Sequence, residues 1–187
     1  MLTRRQLLGA AGAGGSAALL AACGGGDDAG GASREQLAAR DLRLLGSALD
    51  LEHTVIAAYT AGARLLGGEA GRSGRAIVAQ EREHAARLTK EIERLGGQPN
   101  PPRTAEEYAR AFPSLRRQAD VLRFAIDLEN ASVRLYHEAL PKLSDPELRR
   151  LVAAIATTEA GHAALLRGEL GRPQVPDAFV TGRTQVG

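Results

Sequence analysis

The sequence carries the same pattern of acids twice, and this repeat limits the chain to very few folds. Asp50-Leu51-Glu52, with Tyr59 seven residues after the glutamate, recurs as Asp127-Leu128-Glu129 with Tyr136. Glu81-x-x-His84 recurs as Glu159-x-x-His162, and the glutamates within each half lie 29 and 30 residues apart. An internal duplication explains the pattern, each half supplying half of a two-fold site. The acids also fall on apolar stripes. Leu45, Leu49, Glu52, Ile56 and Tyr59 share one helical face, as do Ile77, Glu81, His84, Leu88 and Ile92. Leu122, Ile126, Glu129, Val133 and Tyr136 form a third face, and Leu151, Ile155, Glu159, His162 and Leu166 a fourth. At 3.6 residues per turn these are core-facing stripes, so four carboxylates and two imidazoles point inward.

An ionised carboxylate buried without a partner costs several kcal/mol or is neutralised by a large rise in its pKa. Two divalent ions supply about four positive charges, matching four carboxylates and offering oxygen-seeking partners. The Glu-x-x-His spacing suits this, because positions i and i+3 lie about 60° apart and one turn along, so both side chains reach one ion. The alternative is a buried ion-pair network without metal.

The rest of the chain reads as helices to carry these stripes. Hydrophobic residues make up 44% of the 187, but aromatics only 3%, and the apolar residues are mostly Ala and Leu, which favour helix over strand. Ser33 with Gln36 starts a first long helix, which runs to Leu66 and stops at Gly67-Gly68. A second begins near Glu69, to bring its ligands level with Glu52, and ends at Leu95 before Gly96-Gly97. Residues 98 to 114 hold four prolines and a short helix after Thr104, capped by Glu107. A third long helix spans Leu115 to about Leu140, and Ser144-Asp145-Pro146-Glu147 reads as a capping box opening a fourth, to about Leu170. Two short connections and one long crossover predict an all-α, antiparallel four-helix bundle wired up-down-down-up, with the crossover between the second and third long helices.

The first residues read as an address. Met1 to Arg5 is cationic and Leu7 to Ala22 is Gly- and Ala-rich and apolar, the layout of an export signal over residues 1–22. Thr3-Arg4-Arg5-Gln6-Leu7-Leu8 resembles a twin-arginine motif, and Leu20-Ala21-Ala22-Cys23 resembles a lipobox in which Cys23 is lipidated. Cys23 is the only cysteine, so no intrachain disulfide forms; an ordinary secretory signal with an incidental Cys is the other reading. Residues 23–33 form a flexible tether, 34–170 the domain and 171–187 an extended tail. The net charge of +2 comes from Arg4 and Arg5, and without them 22 basic residues face 22 acids, so no nucleic-acid partner is expected.

With these motifs the sequence resembles the ferritin-like family, in particular exported bacterial ferritin-like domain proteins, over about residues 34 to 170. The resemblance implies two iron ions, with manganese as the alternative. It makes Glu81 and Glu159 bridging ligands, Glu52 and Glu129 terminal ones, and gives His84 and His162 one ion each. Two histidines place the site nearer the symmetric rubrerythrins and reductase-like oxidases. Ser132, however, stands where rubrerythrins carry a further glutamate, and no Cys-rich module is present. Met1 is the only methionine, which argues against haem ligation.

Tyr59 and Tyr136 read either as core packing with bonded hydroxyls or as hydrogen-bond donors or redox relays to the site. Gln80 and Thr158, one turn before the histidines, read as orienting the rings. His53, His137, Asp50 and Asp127 read as surface or interhelical residues, and Ala85, Ala131, Gly161 and Ala163 as small neighbours leaving room at the ions. The expected function is reaction with O2 or peroxide, or oxidation of ferrous iron, on the outer face of the cytoplasmic membrane. Twin-arginine export would let metal be loaded in the cytoplasm. A homodimer is compatible with this reading. A non-enzymatic metal-binding or envelope-stress module is the alternative, and the lipid tether argues against a storage cage.

Overall fold

The computed structural model describes residues 32–183. The export motif with Arg4 and Arg5, Cys23, and all but the last residues of the tether lie outside them. Five α-helices follow in order: α1 Arg34–Gly62, α2 Gly68–Arg94, α3 Ala105–Ala111, α4 Gln118–Ala139 and α5 Pro146–Glu169. The four long ones make the expected all-α bundle. Cross-helix bonds fix their directions. Tyr59 bonds Glu129 and Tyr136 bonds Glu52, so α1 and α4 run antiparallel. Ser73 Oγ meets Glu169 Oε1 and Arg94 meets Asp145, each at 2.9 Å, so α2 and α5 do too. The crossover carrying α3 returns the chain along the bundle, giving the up-down-down-up wiring.

The caps explain most boundaries. Ser33 and Gln36 form a reciprocal capping box, as do Thr104 and Glu107 ahead of α3. Gly96 (φ 77°) ends α2: its N–H bonds Glu93 O, and Gly97 N–H bonds Ile92 O, closing the last carbonyls. Three boundaries differ from expectation. Helix α1 gives way at Gly62 to a 3₁₀ turn, Ala63–Leu65, rather than running to Leu66. A Cβ at Gly62 would lie 2.5 Å from Val121 Cγ1, so the glycine allows α1 to press on α4 there. Helix α4 starts at Gln118, not Leu115, because Asp120 Oδ2 accepts the N–H groups of Arg116 and Arg117 and caps the first turn. The cap of α5 is Asp145, whose side chain accepts Glu147 N–H at 2.8 Å, with Pro146 at the first helical position.

Ser144 is not that cap because Asp41 takes it. The Asp41 carboxylate, 1% exposed, accepts Ser144 Oγ–H at 2.6 Å and Ser144 N–H at 3.0 Å, pinning the α4–α5 turn to the start of α1. Asp41→Ala strands both donors in a closed site and will cost about 2–4 kcal/mol. The urea midpoint reads this directly, and an unchanged midpoint would show that solvent replaces the carboxylate.

The core divides above and below the acids. Leu45, Leu49, Leu88, Tyr136, Leu148 and Ile155 pack at one end, and Val55, Tyr59, Ile77, Leu122, Ile126 and Leu166 at the other. Val55, fully buried, takes the central place expected of Ile56, which is only partly buried. The tail after Gly171 is irregular and turns back, with Arg134 donating to Gly182 O at 2.7 Å. No described helix is long and apolar enough to cross a membrane.

Candidate metal centre

Each long helix brings one carboxylate to the centre. Glu52, Glu81, Glu129 and Glu159 are all 0% exposed, and His162 is 5%. They are inside because each replaces an apolar residue on its stripe, between neighbours such as Leu49, Ile77, Ile126 and Ile155 that are themselves buried. His84 Nδ1 lies 2.9 Å from Glu159 Oε1, 3.3 Å from Glu81 Oε2 and 3.8 Å from Glu52 Oε2. His162 Nδ1 repeats the arrangement, 2.8 Å from Glu81 Oε1, 3.4 Å from Glu159 Oε2 and 3.7 Å from Glu129 Oε2. The rings are 6.3 Å apart. Two overlapping sets result, Glu52, Glu81, His84, Glu159 and Glu81, Glu129, Glu159, His162, each with its ligand atoms within 4.8 Å of one another. Glu81 and Glu159 belong to both.

The tyrosines bond across the hairpins. Tyr59 Oη donates to Glu129 Oε1 at 2.9 Å, and Tyr136 Oη donates to Glu52 Oε1. In both glutamates the second oxygen, Oε2, is buried with no hydrogen-bond partner, as are Glu81 Oε1 and both oxygens of Glu159. Two imidazole nitrogens are all that face these five buried oxygens, too few to satisfy them, and a cation would complete the set. This donor set, carboxylate oxygens with imidazole nitrogens, fits a divalent transition metal.

The electrostatics follow from burial and from the histidines. Burial pushes Glu52 and Glu129 well above the carboxylate range, although His84 and His162 pull the other way. Burial also raises Glu81 and Glu159, but there the imidazoles win and both end below the usual value. Burial lowers the imidazoles, yet the surrounding carboxylates push His84 up to about 12 and His162 to about 11.

Around this cluster the expectations divide. Gln80 does orient a ring, but that of His162, whose Nε2–H it accepts at 2.6 Å, and not His84 on its own helix. Thr158 instead bonds back to Ala154 O, four residues earlier. Ala85 and Ala163 are buried, Ala131 partly so, whereas Gly161 faces outward, two residues past Glu159 and so across the helix. Ser132 is fully buried with an unpartnered hydroxyl. Asp50 accepts from Asn100 at 3.2 Å, Asp127 and His137 are exposed, and His53 is half-buried.

A family model described as the ferritin-like domain matches residues 40–172. The chain belongs to the ferritin-like family. Its bundle superposes on a conserved hypothetical protein from Mycobacterium tuberculosis at 16% identity, covering 70% of this chain and 97% of that one, with a TM-score of 0.64. A ferritin-like diiron-carboxylate protein from Bacillus anthracis matches at 20% identity, over 74% and 99%, with a TM-score of 0.62. The bacterioferritin of Desulfovibrio desulfuricans matches at 19%, over 84% and 99%, at 0.60. At these identities the likeness is one of ferritin-like fold. No curated protein matches the chain significantly.

Proposed function

We infer that this ferritin-like chain holds a carboxylate-bridged pair of iron ions, or of manganese, and reacts with O2 or peroxide or oxidises ferrous iron. The observation that carries the reading is the group of five buried carboxylate oxygens that have only two imidazole Nδ1 atoms gathered among them. The Bacillus anthracis relative is described as a diiron-carboxylate protein and the Desulfovibrio desulfuricans one as having a diiron site, which supports iron first.

Glu81 and Glu159 would be shared by the two ions, Glu52 with His84 would hold one, and Glu129 with His162 the other. Two reduced ions, when bound, supply the two electrons that reduction of an O–O bond takes. The chain's own residues prepare the place. Tyr136 and Tyr59 engage Oε1 of Glu52 and Glu129, so that each carboxylate keeps Oε2 for the centre. Gln80 accepts the Nε2–H of His162 and so turns Nδ1 toward the centre. Leu49, Leu88, Ile126 and Val133, each within about a turn of a site residue, are at most 1% exposed and exclude water.

Metal analysis by mass spectrometry on the chain purified without added metal tests this, with O2 uptake followed after anaerobic addition of ferrous iron. About two ions per chain and O2 consumption are expected. A folded chain that binds no metal even after reconstitution overturns the reading.

The proposal extends to export by a twin-arginine route and anchoring through Cys23 to the outer face of the cytoplasmic membrane. It is supported by Arg4-Arg5 and by Leu20-Ala21-Ala22-Cys23. Arg4→Lys with Arg5→Lys will leave the chain in the cytoplasm, and Cys23→Ser will move it from the membrane to the soluble fraction. Unaltered fractionation in both variants would refute it.

A further inference from the structure

The two halves of the repeat diverge around one tyrosine. Aligning Tyr59 with Tyr136 and His84 with His162 pairs Ala63 with Leu140, Gly74 with Val152, Arg75 with Ala153 and Arg82 with Ala160. Beside Tyr136 the larger side chains fill the space: Val152 is 2% exposed, and Leu140 packs on the same cluster. Beside Tyr59 the smaller ones leave a groove of about 460 Å³ between α1 and α2. Tyr59 and Gly74 line it, with Leu66 and Val78 as apolar walls. A Cβ on Gly74 would lie 3.0 Å from Leu66 Cδ1 and 3.7 Å from Tyr59 Cδ1, so the missing side chain is what keeps the groove open.

The other two exchanges, alanine for arginine, set its charge. Arg75 and Arg82 line the groove, both exposed, and neither has a carboxylate partner among the described residues. Seven residues apart, they stand about 10 Å from each other along α2. Guanidinium groups bordering an apolar recess recognise an acidic group on an apolar body, and the volume lies in the range of small-molecule sites. The tyrosine ring lining the groove carries the hydroxyl that bonds Glu129, so an occupant would sit against only one half of the buried cluster.

We propose that the groove over Tyr59 binds a soluble amphipathic organic anion, its apolar body against Leu66, Val78 and the tyrosine ring and its acidic group on Arg75 or Arg82. The assignment does not depend on bound metal. Fluorescence titration of the natively folded full chain with 8-anilinonaphthalene-1-sulfonate tests it. Saturable binding of one probe per chain is expected. Arg75→Gln with Arg82→Gln will weaken it about tenfold, as will exchanging the probe for the uncharged N-phenyl-1-naphthylamine. Gly74→Val, which restores the side chain borne by the other half, will abolish it, while Arg150→Gln on α5 will leave it unchanged. Circular dichroism checks that each variant is folded, and if Gly74→Val is not, the arginine pair decides. Binding that both groove variants leave unchanged, or equal affinity for the neutral probe, overturns the assignment. So does a chain whose arginines matter for phosphatidylglycerol vesicles but not for the soluble anion.

Discussion

Replacing Glu81 and Glu159 together with Ala will take the chain from about two bound metal ions to none. Both ligand sets contain both residues, so the double change leaves each with one carboxylate and one imidazole. Two ligands are too few to hold a hard divalent ion against water. Glu52→Ala or Glu129→Ala removes a ligand from one set only and leaves the other complete. Each single variant should therefore lose about one ion of the pair, the weaker-held one first. Mass spectrometry counts the metal, and circular dichroism shows that the helices persist. A folded double variant that still carries about two ions would put the metal elsewhere.

Loading that metal will also expel protons. With His84 and His162 pushed toward the protonated form, Glu81 and Glu159 toward the ionised form, and Glu52 and Glu129 toward the neutral form, the metal-free cluster favours two positive charges against two negative ones. Two divalent ions bind four carboxylates and neutral imidazoles, so up to four protons leave, one from each of the two histidines and from Glu52 and Glu129. Affinity for each ion should then rise as much as about a hundredfold per pH unit near neutrality. Calorimetric titration with ferrous or manganous ion in buffers of different ionisation enthalpy counts the protons, and a count of zero would refute the charge assignment.

The same protons govern the metal-free fold. Raised histidines stabilise it fully below their unfolded pKa of about 6.5, and that contribution fades as pH climbs toward the folded values of about 11 and 12. Lowered Glu81 and Glu159 contribute above about pH 4.5 and lose that contribution as pH falls. Raised Glu52 and Glu129 act in the opposite sense, costing stability as pH rises above about 4.5. Between pH 7 and 9 the metal-free chain will lose stability, by up to about 1.4 kcal/mol per pH unit for each extra proton the fold holds. The loaded chain, which holds none of them, should show a nearly flat profile over that range.

The stripes made the bundle and its acid cluster legible in advance, because a glutamate between Leu49 and Val55 has no outlet but the core. Helix caps were legible where the bonds are local, as at Ser33 and Thr104. What escaped was set by partners far along the chain. Asp41 looks like any acid near a helix start until Ser144, 103 residues on, is brought to it. Gln80 stands one turn from His84, yet the packing of α2 on α5 hands it to His162. Periodicity reports which way a side chain faces, and only the packed helices report whom it meets.

The tyrosine–glutamate bonds cross from hairpin to hairpin, and each ligand set draws three members from one hairpin and one from the other. A lone hairpin could therefore complete neither set. Two identical hairpins turned about a two-fold axis could complete both, so the fold has the layout of a hairpin dimer carried on one polypeptide. Joining the two copies frees them from identity. A self-associating hairpin must change both sides of its site at once, whereas this chain keeps Val152 on one side while carrying Gly74 on the other.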